Sequence, residues 1–347
     1  MARNFPYDSL PSGWFQVAWS DELRPGDVLP LTYFGTELAL YRGESGAPVA
    51  FDAFCPHLGA HFGYGGRVTG DDLVCPFHGW RFDCSGANVE IPYGDRPNRA
   101  QSVRTWPVRE VNGCILVWHH ARGEAPSWEP PELPECADAR YWSGPAVRQL
   151  NAKVRVHPQM VVENLVDAPH QQYVHRGSEP ADIYDYRHEG PFFRVYNRMV
   201  LGAGKGKTWL TDGVLRAELH TESWGVGIAV ARFVDQDDSI HVQTITPIDD
   251  EYADLRATVW LRADGADLVD GEPSEQALSR FRFEMRQLER DVVIWEHMRY
   301  QPHGPFAGME VRPYNAFRRW ATQFYPDAAE KEPRKVALRE AGAGTGA

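Results

Sequence analysis

Cys55-Pro-His57 and Cys75-Pro-Phe-His78 put two thiols and two imidazoles into matched short segments, with seventeen residues between His57 and Cys75. Side chains of these types bind metals as thiolates and neutral imidazoles. Two centres use such a set: a tetrahedral Cys2His2 zinc, or a [2Fe-2S] cluster with both cysteines on one iron and both histidines on the other. Order separates them. A zinc finger pairs cysteine with cysteine and histidine with histidine. Here each segment supplies one of each, as two opposed loops gripping a two-iron core would. Gly59 and Gly79 let the backbone turn close to such a core, and Pro56 and Pro76 stiffen the spacers.

A second group follows at Glu163-Asn164-Leu-Val-Asp167-Ala-Pro-His170-Gln-Gln-Tyr-Val-His175, two histidines and two carboxylates in thirteen residues. Helical spacing sets Glu163, Asp167 and His170 near one face, while His175 falls about 140° further round a regular helix. Pro169 breaks that regularity, because it lacks a backbone donor and disfavours helix at Ala168. An irregular turn there can aim both imidazoles at one point. Two histidines and a distant carboxylate make the facial triad of non-heme Fe(II) oxygenases. The stretch from Ser279 to Tyr300 offers Glu284, Glu289, Asp291 and Glu296 on a helical pattern whose buried seam is Phe281, Leu288, Val292 and Trp295. Asp291 lies on that seam and Glu289 and Glu296 point away from it. A carboxylate on a buried side is costly unless it is paired or binds metal. Asp291 is therefore the first choice and Glu284 the runner-up; spacing alone leaves open whether either meets the histidines in space.

The elements that must hold these residues fall into two sets. From Gly13 to Trp118, short alternating runs punctuated by Gly, Pro and Asp predict a small antiparallel β domain with the Cys/His loops at one end. Residues 121–136, rich in proline and acid, read as a linker. Beyond them, Phe192–Tyr196, Gly225–Ala231, His241–Thr246 and Leu255–Trp260 predict one antiparallel sheet, flanked by helices at 159–176 and 274–300. The expected organisation is thus 1–120 for the cluster domain, 121–136 for the linker, 137–329 for a second domain, and a disordered tail at 330–347.

A chain of 347 residues suits two cores. Its net charge of −12 disfavours a nucleic-acid partner. No apolar run is long enough to be a transmembrane segment, and the start lacks the apolar stretch of a secretion signal, so a cytoplasmic location is expected. Cys84, Cys114 and Cys136 are then reduced structural thiols. No Gly-x-Gly-x-x-Gly follows a strand, which places NAD(P)H on separate proteins. Arg67, Arg81, Arg96 and Arg99 offer a basic patch for an electron donor, or are plain solvated arginines. His61, His119, His120, His157, His188, His220, His241, His297 and His303 lack partners at ligand spacing and read as structural or surface residues.

The stretch Phe54-Cys-Pro-His-Leu-Gly-Ala-His61 through Cys75-Pro-Phe-His-Gly-Trp80 to Ile91-Pro-Tyr93 resembles the Rieske domain of Rieske non-heme iron oxygenases. Within them the chain is most similar to the group holding the oxygenase component of 3-ketosteroid 9α-hydroxylase and the Rieske cholesterol 7-desaturases. The resemblance implies an all-β Rieske domain plus an α+β catalytic domain of helix-grip type, an antiparallel sheet flanked by helices. It makes Cys55, His57, Cys75 and His78 ligands of the [2Fe-2S] cluster, and His170, His175 and Asp291 ligands of a mononuclear Fe(II). Asn164 and Asp167 belong to the same iron segment, Asp167 as the carboxylate linking the cluster histidine of one subunit to the iron histidine of its neighbour in a head-to-tail homotrimer. Electrons would come from a ferredoxin and/or flavin reductase, and O2 would be used to hydroxylate or desaturate a C–H bond of a hydrophobic, steroid-like polycycle. Two other readings remain: a Rieske oxygenase tailoring an aromatic or polyketide-like metabolite, and a non-catalytic Rieske electron carrier or sensor. Arg318–Tyr325 resembles the closing helix of the steroid group. Gly308-Met-Glu310 departs from the acidic residue and glycine expected just before it, which weakens any transfer of substrate identity.

Overall fold

A computed structural model describes residues 5–201, 215–234, 239–263 and 265–328. The expected tail at 330–347, and the last residue of the expected second domain, lie outside the described residues. The first unit contains strands β1 (Gly13–Trp19), β2 (Val28–Tyr33), β3 (Thr36–Arg42), β4 (Pro48–Asp52), β5 (Arg67–Thr69), β6 (Asp72–Val74), β7 (Arg81–Phe82), β8 (Asn88–Glu90), β9 (Thr105–Trp106), β10 (Val108–Val111) and β11 (Cys114–His119). They form three small antiparallel sheets ordered β1-β11-β10, β2-β3-β4-β9 and β5-β6-β7-β8. The Cys/His loops leave β4 and β6, so two different sheets present them.

Strands β1 and β11 are buried along their whole length, and period-2 alternation explains why. Phe15, Val17, Ile115 and Val117 point into the core of the first unit. Trp14, Trp19, Leu116 and Trp118 point the other way, into a core shared with Ile228, Val230, Ile240 and Val242 of the second unit. The junction is polar as well as apolar. Trp19 Nε1 donates to Thr258 Oγ1 at 2.9 Å, and the buried Arg256 donates to Tyr33 Oη at 2.8 Å. The segment predicted as a linker is packed here too: Trp14 Nε1 donates to the Trp128 carbonyl at 2.7 Å, Leu133 is buried, and Glu135 pairs with Arg232 at 2.6 Å. Its prolines and acids run over the seam between the two units.

The second unit contains α1 (Pro134–Ala137), β12 (Tyr141–Trp142), β13 (Arg148–Val154), α2 (Pro158–Val162), α3 (His170–Tyr173), β14 (Asp182–Glu189), β15 (Phe192–Leu201), β16 (Leu215–Trp224), β17 (Ile228–Val234), β18 (Ile240–Pro247), β19 (Ala253–Arg262), α4 (Glu275–Trp295) and α5 (Val311–Ala321). One antiparallel sheet runs β12-β19-β18-β17-β16-β15-β14, with β13 also on β19. Its outer face meets the first unit. Its inner face is covered by α4 over β13 and β19, and by α5 over β15. Strands β14 and β16 show no clear strand pattern in the sequence, because their outward positions are charged and β14 is an edge.

The two helical expectations differ in outcome. Ser274 caps α4 by accepting the Ala277 N–H at 3.2 Å, and the helix ends at Trp295, five residues before the predicted 300. The predicted helix at 159–176 is broken: α2 passes into a 3-10 turn at Glu163–Val166, the chain leaves helical geometry at Asp167, and α3 restarts after Pro169. Pro169 lacks the N–H that would continue the first helix, but its fixed φ suits the start of the second.

Candidate metal centres

The two Cys/His loops are the same turn used twice. In the first, the Cys55 N–H donates to Ala60 O and the Gly59 N–H to Cys55 O, both at 2.9 Å; in the second, Cys75 donates to Trp80 O at 2.8 Å and Gly79 to Cys75 O at 3.1 Å. Gly59 and Gly79 close the turns at φ of 74° and 72°, where a side chain is strained. Both cysteines are almost fully buried. The Cys55 thiol donates to the Cys75 sulfur, and backbone N–H groups of Phe77 and His78 also point at that sulfur, which lowers Cys75 to about 6 against the opposing effect of burial. Cys55, as the donor and buried, is pushed up, although His57 and Leu58 offer it two N–H groups of their own. Each sulfur thus sits in a cradle of backbone donors suited to a thiolate. The His57 and His78 rings lie 4.8 Å apart, and each Nδ1 is buried without a hydrogen-bond partner among the described residues. Trp80 stacks on His57 at 4.4 Å and donates its Nε1 to Tyr93 Oη at 2.8 Å. Paired sulfurs with two orphaned imidazole nitrogens beside them fit a cluster with cysteines on one side and histidines on the other. His61 stays outside this set, accepting the Gly63 N–H at 2.9 Å and lying 3.3 Å from Glu37.

The second group converges as well. His170 Nε2 lies 3.3 Å from Asp291 Oδ1 and His175 Nε2 lies 3.5 Å from Asp291 Oδ2. The three ligand atoms lie within 4.8 Å of one another, and among the described residues they form the group of metal-ligating side chains placed to hold one ion. His170 opens α3. His175 follows its end, where Arg176 adopts φ of 62° and Gly177 N–H closes on Gln171 O at 3.0 Å. The left-handed Arg176 reverses the chain just past α3, and the ring of His175 lies 4.4 Å from that of His170. Asp291 arrives from the buried seam of α4 beside Leu288 and Trp295. Burial alone would favour neutral forms. Contact with the imidazoles nevertheless holds the Asp291 carboxyl below its usual range, and His170, pushed down by burial, is raised overall by Asp291 and then Asp167.

The other predicted residues are placed around this triad. Asp167 Oδ1 accepts the His170 N–H at 3.2 Å, and the Tyr314 hydroxyl also donates to its carboxylate. The Asn164 carbonyl accepts the Asp167 N–H at 3.3 Å. Its side chain lines a cavity of about 220 Å³ shared with Asp167, His170 and Asp291. Glu163 lines the same cavity but stays out of the triad: Arg318 binds both its oxygens at 3.0 and 2.8 Å, and Gln159 and Tyr300 donate to Oε1 at 2.9 and 3.2 Å. Glu284, the runner-up ligand, is not in the triad and pairs with His241 at 2.8 Å. His241 read as structural or surface in the sequence, where β18 gives no hint of a carboxylate reaching it from α4. His157 caps α2, and burial lowers its pKa to about 3. All five cysteines are free.

Two family models match the chain: the Rieske [2Fe-2S] domain over residues 13–107, and the 3-ketosteroid 9alpha-hydroxylase C-terminal domain over residues 117–325. The chain is 31% identical over 353 residues to a cholesterol 7-desaturase of Caenorhabditis elegans, covering 93% of this chain and 78% of that protein. It is 25% identical over 335 residues to the oxygenase component of a 3-ketosteroid-9-alpha-monooxygenase of Rhodococcus rhodochrous, covering 92% and 85%. In fold it is similar to dicamba monooxygenase bound to dicamba, with a TM-score of 0.69 at 20% identity over 94% of this chain and 99% of that one. Among the described residues no helix is long and apolar enough to cross a membrane. A Rieske domain joined to this catalytic domain, with relatives named as desaturases and monooxygenases along nearly the whole length, establishes that the chain belongs to the Rieske oxygenases of the 3-ketosteroid 9α-hydroxylase and cholesterol 7-desaturase family.

Proposed function

We propose that the chain is the terminal oxygenase of a multicomponent system that uses O2, Fe(II) and electrons delivered through a [2Fe-2S] cluster to hydroxylate or desaturate a C–H bond of a hydrophobic, steroid-like polycycle. The observation that carries this is the convergence of His170, His175 and Asp291. Two imidazoles and one carboxylate leave coordination positions open, and an Fe(II) held there supplies the reduction of O2 beside a bound substrate. Asp291 offsets part of the metal's charge, and Asp167, held by Tyr314, fixes the start of α3 and so the ring of His170. Cys55, Cys75, His57 and His78 would hold the cluster, and imidazole ligation raises its potential for accepting single electrons.

Those electrons come from separate proteins, a ferredoxin and/or a flavin reductase. Arg67, Arg96 and Arg99 are exposed for docking, whereas Arg81 is tied to Asp72 and Glu90. A homotrimer is supported by two surfaces that suit each other. Leu58, Phe77 and Tyr93 stand exposed around His57 and His78, and Ile294 and Met298 stand exposed beside the cavity at Asp167. Head-to-tail contacts of this kind close into rings.

A cleft of about 960 Å³, lined by Ala168, Ile183, Met199, Ala217, Met309 and Pro313 among others, starts beside the turn that carries His170. Its size suits a polycyclic ligand, and the relatives' names supply the steroid-like class. Gly308–Glu310, the departure noted in the sequence, puts Met309 on the wall of that cleft. The test is metal analysis followed by a substrate screen with a surrogate reductase and ferredoxin, scored by oxygen-dependent mass change. About three irons and two acid-labile sulfides per chain are expected. A fully loaded protein with only the cluster irons would reduce the chain to an electron carrier. Turnover of small aromatic or polyketide-like compounds but no steroid would replace the substrate class.

A further inference from the structure

The two Cys/His loops share one turn but differ at the residue that closes it. The carbonyl accepting from Cys55 belongs to Ala60, and the carbonyl accepting from Cys75 belongs to Trp80. The large side chain of the second loop crosses to the histidine of the first. Trp80 lies nearly parallel to the His57 ring, with centroids 4.4 Å apart and 7° between the planes. Trp80 is 7% exposed and belongs to the core built on Phe62, Leu73 and Phe82. Its Nε1 donates to Tyr93 Oη at 2.8 Å, and the Tyr93 ring meets His78 edge to face at 6.4 Å. Trp80 and Tyr93 together therefore reach both imidazoles.

Metal-bound histidines are ordinarily oriented by a hydrogen bond from the second ring nitrogen. No hydrogen bond to the described residues holds the His57 ring, and its neighbours are other rings, His78 and Trp80. Within the chain, the stacked indole is what fixes its plane. The indole is fixed in turn, because a buried Trp N–H needs an acceptor and Tyr93 supplies one from the surface, at 64% exposure. A cluster with two thiolates and two neutral imidazoles gains one negative charge on reduction. Water against the imidazoles would stabilise that charge, and an apolar cover withholds it. The face of an aromatic ring is also electron-rich and opposes added negative charge beneath it. Both effects act in one direction, towards a lower reduction potential.

We propose that Trp80, tied at its Nε1 to Tyr93, is a positioning residue for His57 that holds the imidazole plane and lowers the reduction potential of the cluster. This rests on the reading of the preceding section that His57 is a cluster ligand, and it is independent of the substrate class. Imidazole ligation raises the potential so that the cluster accepts single electrons. Trp80 limits that rise, so that an accepted electron is held less tightly and passes on more readily. Ala60, at the matching place in the first loop, has no side chain that could cover an imidazole, which leaves this task to the second loop.

The test is a redox titration of the holoenzyme, followed by the visible spectrum, with paramagnetic resonance of the reduced cluster as a second readout of ligand geometry. Trp80→Leu should favour the reduced cluster by about tenfold at a given applied potential, a rise of about 59 mV for one electron, and should shift the resonance g values. Trp80→Phe keeps a ring over His57 without the N–H and should restore most of the wild-type potential. Tyr93→Phe removes the acceptor at an exposed position and should raise the potential by less than Trp80→Leu. Wild-type potential and g values in Trp80→Leu, or a Trp80→Phe protein shifted as far as Trp80→Leu, would overturn the proposal. If Trp80→Leu does not load its cluster, Tyr93→Phe decides, and an unchanged potential there overturns the proposal as well. Wild-type enzyme without acid-labile sulfide would refute the cluster reading itself and the proposal with it.

Discussion

The two candidate metal centres are built by opposite means. At the cluster loops, four ligands come from 24 consecutive residues, and one turn with the same pair of backbone hydrogen bonds is used twice. At the triad, two ligands come from either end of a one-turn helix and the third from a long helix about 120 residues later. The first site draws its geometry from local backbone, so thiolate cradles and positive-φ glycines are its essential parts. The second draws its geometry from packing: the break at Pro169, the stop at Arg176 and the seam of α4 must all be right together. Local sites tolerate distant change, and assembled sites do not.

The largest expected effects are losses, and they should be separable. Asp291→Ala should abolish turnover and remove the mononuclear iron while the visible spectrum of the cluster persists. Cys75→Ser should remove the cluster spectrum and acid-labile sulfide while the mononuclear iron still loads. If either substitution empties both sites, the two centres are not independent and the contrast between them fails. Asp167→Asn comes next, with turnover about 10- to 100-fold lower and both metals retained in metal analysis. A wild-type rate there would remove Asp167 from the route between subunits. Arg318→Met leaves the buried Glu163 carboxylate without its counter-charge, and should cost about 3 kcal/mol in chemical denaturation. The cluster spectrum in the native enzyme should not change, because Arg318 touches only the catalytic unit. The smallest effects sharpen the likeness of the two loops. Gly59→Ala and Gly79→Ala share the left-handed strain, about 1 kcal/mol each. A Cβ at Gly79 would also meet Pro92 Cγ at 3.0 Å, whereas the space at Gly59 is open. Melting curves should therefore rank Gly79→Ala below Gly59→Ala, and the reverse order would contradict the described packing.

The contrast also explains what could be read in advance. The cluster loops announce themselves because ligand order, proline spacers and closing glycines all lie within one stretch. At the triad, periodicity placed Asp291 on the buried seam and Pro169 at the break, but their meeting depends on how far α4 sits from α3, which no spacing encodes. Glu163 and Glu284 show the same limit. Both are carboxylates at sensible helical positions, and only tertiary partners, Arg318 for one and His241 for the other, assign them elsewhere. Strand β16 is hidden in the sequence for a related reason: its outward charges mask the inward Ala217 and Leu219, whose apolar role shows only when β15 and β17 lie alongside.

By itself, then, the sequence determined the chemistry within reach of a single turn. It determined which side chains could bind metal, where a helix must break, and which face of α4 is buried, because backbone sterics and side-chain period act over a few residues. Tertiary structure decided which of those side chains meet. It brought Asp291 rather than Glu284 to the histidines and packed the proline-rich segment into the seam between the units. Those outcomes depend on the packing of elements distant in the chain, a balance of buried surface and paired charge that no local pattern records.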